Sequence, residues 1–489
     1  YNLDESGKVK VTDVGKSSVY IKKINKQLSR LIIAFPEVKV GSVIEYRYRL
    51  ERESYSQIKD WYFQDRIPTR YSEYEINVPN FFVFNVQPTI VDKMDEKAKE
   101  FDDVITIGND AIQVKSSKIK YSMQNLIGIK NEPHMAAVKD YLQRIEFQLS
   151  RVDFGNGNVE NLRTSWTDLS RGLMKDADFG LQLVKNVTDL DPLVAEALRL
   201  NEPKERIKLI YNTIRSSMRC YDHEAIYADA GITEAWKKKE GNIADISLLL
   251  INILRKAGIR ANPILLSTRD NGLINATFPF LNQFNTLMVY VPLNNGYFVL
   301  DGSDKFSNYQ LTPVNIVNTR GFIAEDDGGK IFDVIDNTHH YDITMALKGT
   351  IDEHAVMNGE CQIICSDYAR RERVKAYYGN ADIFKQDYFI KPYPAVKISD
   401  ISFKNADIDS LPFFQKINFT NSLNSSGGYS YFNTNLFSGF ETNPFIDDQR
   451  ITDIDFGFKQ HYTIYGNFTI PEGYAFDALP QNISMTMPG

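Results

Sequence analysis

The stretch KKKEGNIADISLLLINILRKAGIRANPILL, residues 237–266, decides the reading of this chain. A lysine-rich loop is expected to end at Gly241-Asn242. A helix that is apolar on nearly every side follows: Ile243, Ile246, Leu250 and Ile253 lie along one side, Leu248, Ile251 and Leu254 along another. Such a helix belongs in the centre of a domain. Gly258 suits its C-terminal cap, and ANPILL reads as a strand. A helix so placed can hold a nucleophile at its N-terminus, where the backbone dipole favours an anion. Yet the first helical residue is Ile243, which has no reactive atom.

Working outward, the downstream segments NTLMVYVPL and GYFVLDGS read as two strands joined at Asn294-Asn295-Gly296. Asn-Gly is a strong signal for a tight hairpin. Upstream, WTDLSRGLMKDADFG and DPLVAEALRLN read as helices, the second with Pro192 in its first turn. EPKERIKLIYNTIRSSM is an amphipathic helix with Ile207, Ile210, Tyr211, Ile214 and Met218 on one stripe. Helices first and an antiparallel sheet after them is an α+β order.

The flanks read as β. In SVIEYRYRLER, Ile44, Tyr46, Tyr48 and Leu50 alternate with Glu45, Arg47, Arg49 and Glu51; YEINVP repeats the pattern with Tyr74, Ile76 and Val78. Period-two alternation predicts antiparallel sheets half exposed to water. After about residue 346, ECQIICSDY and DIDFGFKQHYTIYGNFTIP predict strands again. A chain of 489 residues exceeds what one core holds. Three domains are expected: a β-sandwich over 1–160, an α+β core over 161–345, and a β-sandwich-like domain over 346–489.

Composition narrows the function. The formal charge of −7 gives no support for a nucleic-acid partner, which needs a concentrated basic face. The run Lys237–Lys239 reads as a solvated loop. Ile243 to Leu254, the most apolar stretch, is broken by Asp245, Ser247 and Asn252 and falls short of the ~20 residues of a membrane span. The chain opens at Tyr1 with no signal-peptide pattern, which fits a mature or trimmed form. Cys220, Cys361 and Cys365 make no disulfide framework. The absence of CxxC, HExxH and acidic calcium-loop patterns leaves a metal or other cofactor without support.

The middle segment resembles the transglutaminase-like branch of the papain-like cysteine hydrolases. The resemblance rests on GNIADISLLLINILRKAGIRANPIL, FNTLMVYV and YFVLDGSD. It implies a nucleophilic Cys at the helix start, a His opening the next strand, and an Asp ending the strand after it. The thiolate would draw on the helix N-terminus, the His would act as base, and the Asp would orient it. Here Ile243 holds the cysteine position, Thr286 the histidine position, and only Asp301 keeps its identity. Gly241, Asn242, Asp245 and Asn285 flank these positions. A thioether-free alkyl side chain is no nucleophile, and a threonine hydroxyl is no base near neutral pH.

FPEVKVGSVIEYRYRL and WYFQDRIPTRYSEYEINVP resemble the β domain of unknown function that commonly precedes such cores in secreted bacterial proteins. GFETNPFIDDQRITDIDF and IPEGYAFDALP resemble the β domain that often follows them. The resemblance implies an inactive, protease-like module that binds polypeptide or glycan, or spaces its β domains, at a bacterial cell surface or in a periplasm. The competing expectation is an active hydrolase with a non-standard nucleophile, for which Cys220 and His223 in RCYDHE are the nearest pair. Ser247 is expected to bond a backbone carbonyl, and His339-His340 to lie in a linker. His134, His354 and His461 read as surface or packing residues. In DYARRERVKAYYG, Tyr368, Arg370, Arg371, Arg373 and Tyr377 offer a recognition surface for an anionic or sugar partner, or a polar sheet face.

Overall fold

The computed structural model describes residues 1–23, 29–50, 58–107, 110–153, 159–161, 165–440, 442–477 and 481–486. The chain divides into two compact units, Tyr1–Ile58 and Lys59–Gly489. The first holds two short antiparallel pairs, Asn2–Leu3 with Val9–Lys10 and Val19–Lys23 with Ser29–Ile33. The alternating segment expected as a strand is not one: residues 42–50 carry no regular structure, and Ile44, Tyr46, Tyr48 and Leu50 are exposed. Glu51 and Arg52 lie outside the described residues. Alternation is a necessary pattern for a half-buried strand, but it needs a sheet to pair with, and among the described residues these have none.

In the second unit, β1 (Thr69–Pro79), β3 (Asp95–Ile107) and β4 (Asp110–Leu126) form a sheet of order β1-β4-β3, while β2 (Phe82–Thr89) pairs with β5 (Arg144–Asp153) in another. Phe63, Tyr121, Met123, Leu126 and Ile145 share one buried cluster. Tyr74 lies 4.9 Å from Trp61 and 5.8 Å from Phe147, ring to ring. The YEINVP alternation is thus a true strand face.

Next come α1 (Trp166–Lys175), α2 (Asp191–Leu198), α3 (Pro203–Ser217), β6 (Arg219–Asp222), α4 (Ile232–Lys238), β7 (Glu240–Asn242) and α5 (Ile243–Lys256). The lysines expected in a loop mostly end α4, where positive charge suits the negative end of the helix dipole. Every residue of α5 from Ile243 to Leu254 is buried. Its polar side chains bond to neighbouring elements: Ser247 donates to the carbonyl of Leu287 at 2.8 Å and Asn252 Nδ2 to those of Leu183 and Lys185, while Asn252 Oδ1 has no partner among the described residues. Then follow β8 (Asn262–Leu266), β9 (Thr286–Pro292), β10 (Tyr297–Leu300), β11 (Thr319–Ile323) and β12 (Lys330–Val334), in the antiparallel order β10-β9-β8-β11-β12. The Asn295-Gly296 hairpin joins β9 to β10, with Leu293 N–H donating to the Gly296 carbonyl.

The last part is a five-stranded sheet. Its strands are β13 (Tyr341–Ile351), β14 (Val356–Ser366), β15 (Val396–Lys404), β16 (Phe413–Ser422) and β19 (Gln460–Thr469), in the order β15-β16-β14-β13-β19. The hairpin β17 (Asn424–Ser426) and β18 (Tyr429–Tyr431) stands apart. Helices α6 (Asp367–Gly379) and α7 (Ala381–Lys385) pack against the sheet where a second sheet was expected. Of DIDFGFKQHYTIYGNFTIP only the second half is strand. The molecule is a mixed α/β, multi-sheet protein, and among the described residues no helix is long and apolar enough to cross a membrane.

Candidate functional site

Each triad-like position sits at the element end that its sequence context predicts. Ile243 is the first residue of α5, Thr286 the first of β9, and Asp301 directly follows β10. What surrounds Ile243 is apolar: it is 2% exposed and shares a cluster with Ile264, Leu266, Met288 and Tyr290. Leu266 is the cross-strand partner of Thr286, so the helix start and the strand start face one buried region.

The helix N-terminus is already satisfied. Asn242 accepts from the Asp245 amide at 2.8 Å, and Asp245 accepts from the Asn242 amide at 3.1 Å, a reciprocal capping box. The same carboxylate accepts from Gly231 N–H at 2.8 Å, which pins the preceding loop to the helix. Burial pushes its pKa up, and the backbone donors oppose that. Gly241 is required here because a Cβ would come within 2.7 Å of the Asp245 side chain. Asp245 is therefore structural, and so is Asn285: its side chain accepts from Thr268 N–H at 2.9 Å and donates to Thr268 Oγ1 at 2.8 Å.

Asp301 is held by residues that the sequence did not assign to this site. Its Oδ1 accepts from the Ser303 amide at 2.8 Å and the Ser303 hydroxyl at 2.5 Å. Its carbonyl accepts from Tyr211 Oη at 3.1 Å. Gly302 between them presses on α5, since a Cβ there would sit 3.0 Å from Ile246 Cγ2. Burial pushes the Asp301 carboxyl up, neighbouring Asp304 adds to this, and the Ser303 bonds pull it down. The available signal for Ser303 was the Asp-Gly-Ser spacing, since an Asp side chain commonly caps the backbone two residues on. Thr286 is fully buried, and its hydroxyl has no hydrogen-bond partner among the described residues.

Cys220 and His223 also reach this region. Cys220 pairs with Gly241 across β6 and β7, which puts it beside the start of α5. His223 Nδ1 lies 3.2 Å from Ser303 Oγ. The thiol, however, donates to the Asp222 carbonyl at 3.2 Å, and burial pushes its pKa up to about 12. Burial outweighs the hydrogen bond from Ser303 and disfavours the thiolate that a nucleophilic cysteine needs.

The expected recognition surface in 367–379 is overturned. The segment is a helix, and Tyr368, Arg370 and Arg373 are buried on its inner face. Arg370 donates to carbonyls of the 405–411 loop, including Leu411 and Ile408 at 2.8 Å. Arg373 donates to Gln415 at 3.0 Å, and Arg371 pairs with Asp304 at 2.8 Å. Tyr377 packs among Phe384, Phe403 and Phe413. Mixed Arg and Tyr reads as a polar face, but guanidinium groups are equally suited to satisfying buried carbonyls. Of the histidines, His339 Nδ1 donates to Asp336 Oδ2 at 2.9 Å in the link between β12 and β13, and His134 packs tilted against Phe456 with ring centres 4.6 Å apart.

Comparison with known proteins adds the following. Residues 4–103 match the model of DUF3857, a domain of unknown function with a solved structure. An N-terminal domain of unknown function was expected there. No curated protein is similar to the chain. Among solved structures, a "putative protease" from Parabacteroides distasonis is similar over 86% of this chain and 81% of its own, with a TM-score of 0.46 and 9% identity. A "putative cysteine protease" from Cytophaga hutchinsonii is similar over 63% and 90%, with a TM-score of 0.21 and 12% identity. At these scores neither likeness bears on function.

Proposed function

We propose that the middle of the chain is a transglutaminase-like core without hydrolytic chemistry, which binds a polypeptide or glycan, or spaces the domains beside it, outside the cytoplasm of a bacterium. One observation supports this above the rest: the residue at the start of the central helix is Ile243, packed among apolar neighbours behind a closed capping box. A site kept for catalysis holds a reactive atom open to substrate; this one is filled with hydrocarbon. The test is incubation with casein and an amine donor, alongside a thiol-directed probe. No cleavage, cross-linking or labelling is expected. Turnover at any rate above a heat-denatured control overturns the reading.

A second reading has an observation of its own. Cys220, His223, Ser303 and Asp301 gather beside the same helix end. If turnover occurs and disappears in Cys220→Ser, the nucleophile has moved to β6. The thiol's bond to a carbonyl and its raised pKa favour the first reading.

A further inference from the structure

The C-terminal sheet carries a cavity of about 790 Å3 at the end where β13 turns into β14. This lies within the roughly 300–1,000 Å3 of small-molecule sites. Its floor includes Phe432 and Phe468, whose rings lie 4.8 Å apart. Its walls include Tyr429 and Tyr431 from β18, and Tyr474 and Phe476 from the segment after β19. These four rings are 46–60% exposed, although aromatic rings of this size gain most from being covered.

The hairpin explains the placement of the first two. Gly427 and Gly428 both have positive φ, +63 and +86, as a two-residue primed turn requires. Tyr429 and Tyr431 then stand two apart on one strand and share a face. Ser425 and Ser430 meet across the hairpin at 3.0 Å.

The charge is one-sided. Asp352, Glu353 and Asp477 line the cavity, and among the described residues that line it none is Lys, Arg or His. Asp352 is engaged by the amides of His354 and Val356. Glu353 and Asp477 are exposed and have no partner among the described residues. Aromatic faces attract cations through their quadrupoles, and carboxylates add a direct charge partner.

We propose that this cavity binds a small organic cation, an ammonium group on an apolar body, with the ammonium against the tyrosine faces and Glu353 and Asp477. The cavity is remote in sequence from the α5 site and stands or falls separately from the reading above. An anion would meet two carboxylates and no counter-charge. A neutral sugar would use the rings but leave both carboxylates without a charge partner.

The experiment is calorimetric titration of the whole chain with choline and with 3,3-dimethylbutan-1-ol, which has the same shape and no charge. N-acetylglucosamine oligomers form a third arm. Choline is expected to bind roughly tenfold more tightly than the neutral alcohol, and more weakly as salt rises. Tyr431→Ala and the double variant Glu353→Gln/Asp477→Asn should each weaken it several-fold. These side chains are exposed, so folding should persist, and an unchanged melting curve checks this. Equal binding of the alcohol, tighter binding of the sugar, or no choline binding at tens of millimolar overturns the proposal.

Discussion

Ser303 holds Asp301 through both its amide and its hydroxyl, at 2.8 and 2.5 Å. The carboxylate is thereby tied to its own chain two residues on. Those bonds do not fully offset burial, so its folded pKa stays above the ordinary carboxylate value. The sign follows from proton binding: a raised folded pKa means the native state binds protons more tightly than the unfolded state. This contribution costs stability as pH rises from the unfolded value through the folded one.

Asp301→Asn keeps the acceptor and removes the charge. It should be as stable as the parent or more stable at neutral pH, with the gap closing as pH falls toward the ordinary carboxylate range. Denaturant midpoints at several pH values measure this. A variant that is clearly less stable at neutral pH would mean that the charge itself is wanted, as in a working triad.

Thr286 poses the reverse case, a buried hydroxyl without a partner among the described residues. An unmet buried polar group costs about 1–3 kcal/mol. Thr286→Val keeps the shape and removes the hydroxyl, so it should stabilise the protein by roughly 1 kcal/mol. A loss of stability in chemical denaturation would show that the hydroxyl has a partner in solution.

At Ile243 the side chain fills its site. Ile243→Cys removes buried carbon and should cost about 1–3 kcal/mol, between the usual Ile→Val and Ile→Ala losses. The new thiol should label slowly with iodoacetamide, because the site is buried among apolar side chains. Rapid labelling, or a rise in melting temperature, would refute the packed picture.

How much of this was legible beforehand varies with the physical signal. α5, α3 and the β9–β10 hairpin declared themselves through period, capping residues and an Asn-Gly turn, all of which are local. The positions of Ile243, Thr286 and Asp301 at element ends followed from those elements. The 44–50 segment misled because alternation shows only which residues could share a face, and the pairing partner is non-local. The 367–379 helix misled because its apolar stripe is short and Arg370 on its inner face reaches carbonyls some forty residues downstream. Tyr211 was hidden for the same reason: a hydrogen bond across 90 residues leaves no mark on spacing.

The link at 336–340 predicts a pH response. Asp336 accepts from His339 at 2.9 Å and from Tyr368 Oη at 2.7 Å. The bond from Asp336 raises the His339 pKa. A raised histidine contributes stability that is full below its unfolded pKa and is lost as pH rises through the folded value. The parent should therefore lose stability between about pH 6.5 and the alkaline side of that value. His339→Gln should lose less over the same interval. Thermal melts across that range decide it, and parallel curves would remove His339 from the account.

Glu132 clamps a segment far away in sequence. Its carboxylate accepts from the Ile451 amide at 2.9 Å, the Thr452 amide at 2.8 Å and the Thr452 hydroxyl. Arg450 stands 3.8 Å away, and Arg269 holds Asp455 a few residues on at 2.9 Å. Residues 450–457 carry no regular structure, so side-chain bonds of this kind must fix them. Burial pushes the Glu132 carboxyl up, but the hydroxyl and amide donors outweigh it and leave the pKa below the ordinary value. A lowered carboxylate gives stability that is present above the unfolded pKa and lost as pH falls through the folded one. Glu132→Ala should loosen the segment locally, because charge-assisted bonds to backbone amides are the stronger kind. Limited trypsin digestion should then cut after Arg450 several-fold faster than in the parent. The parent itself should become similarly open only on acidification. The global melting temperature should move little, since the buried clusters of the sheets are untouched. An unchanged cleavage rate after Arg450 would mean that Arg269 and Asp455 hold the segment without Glu132.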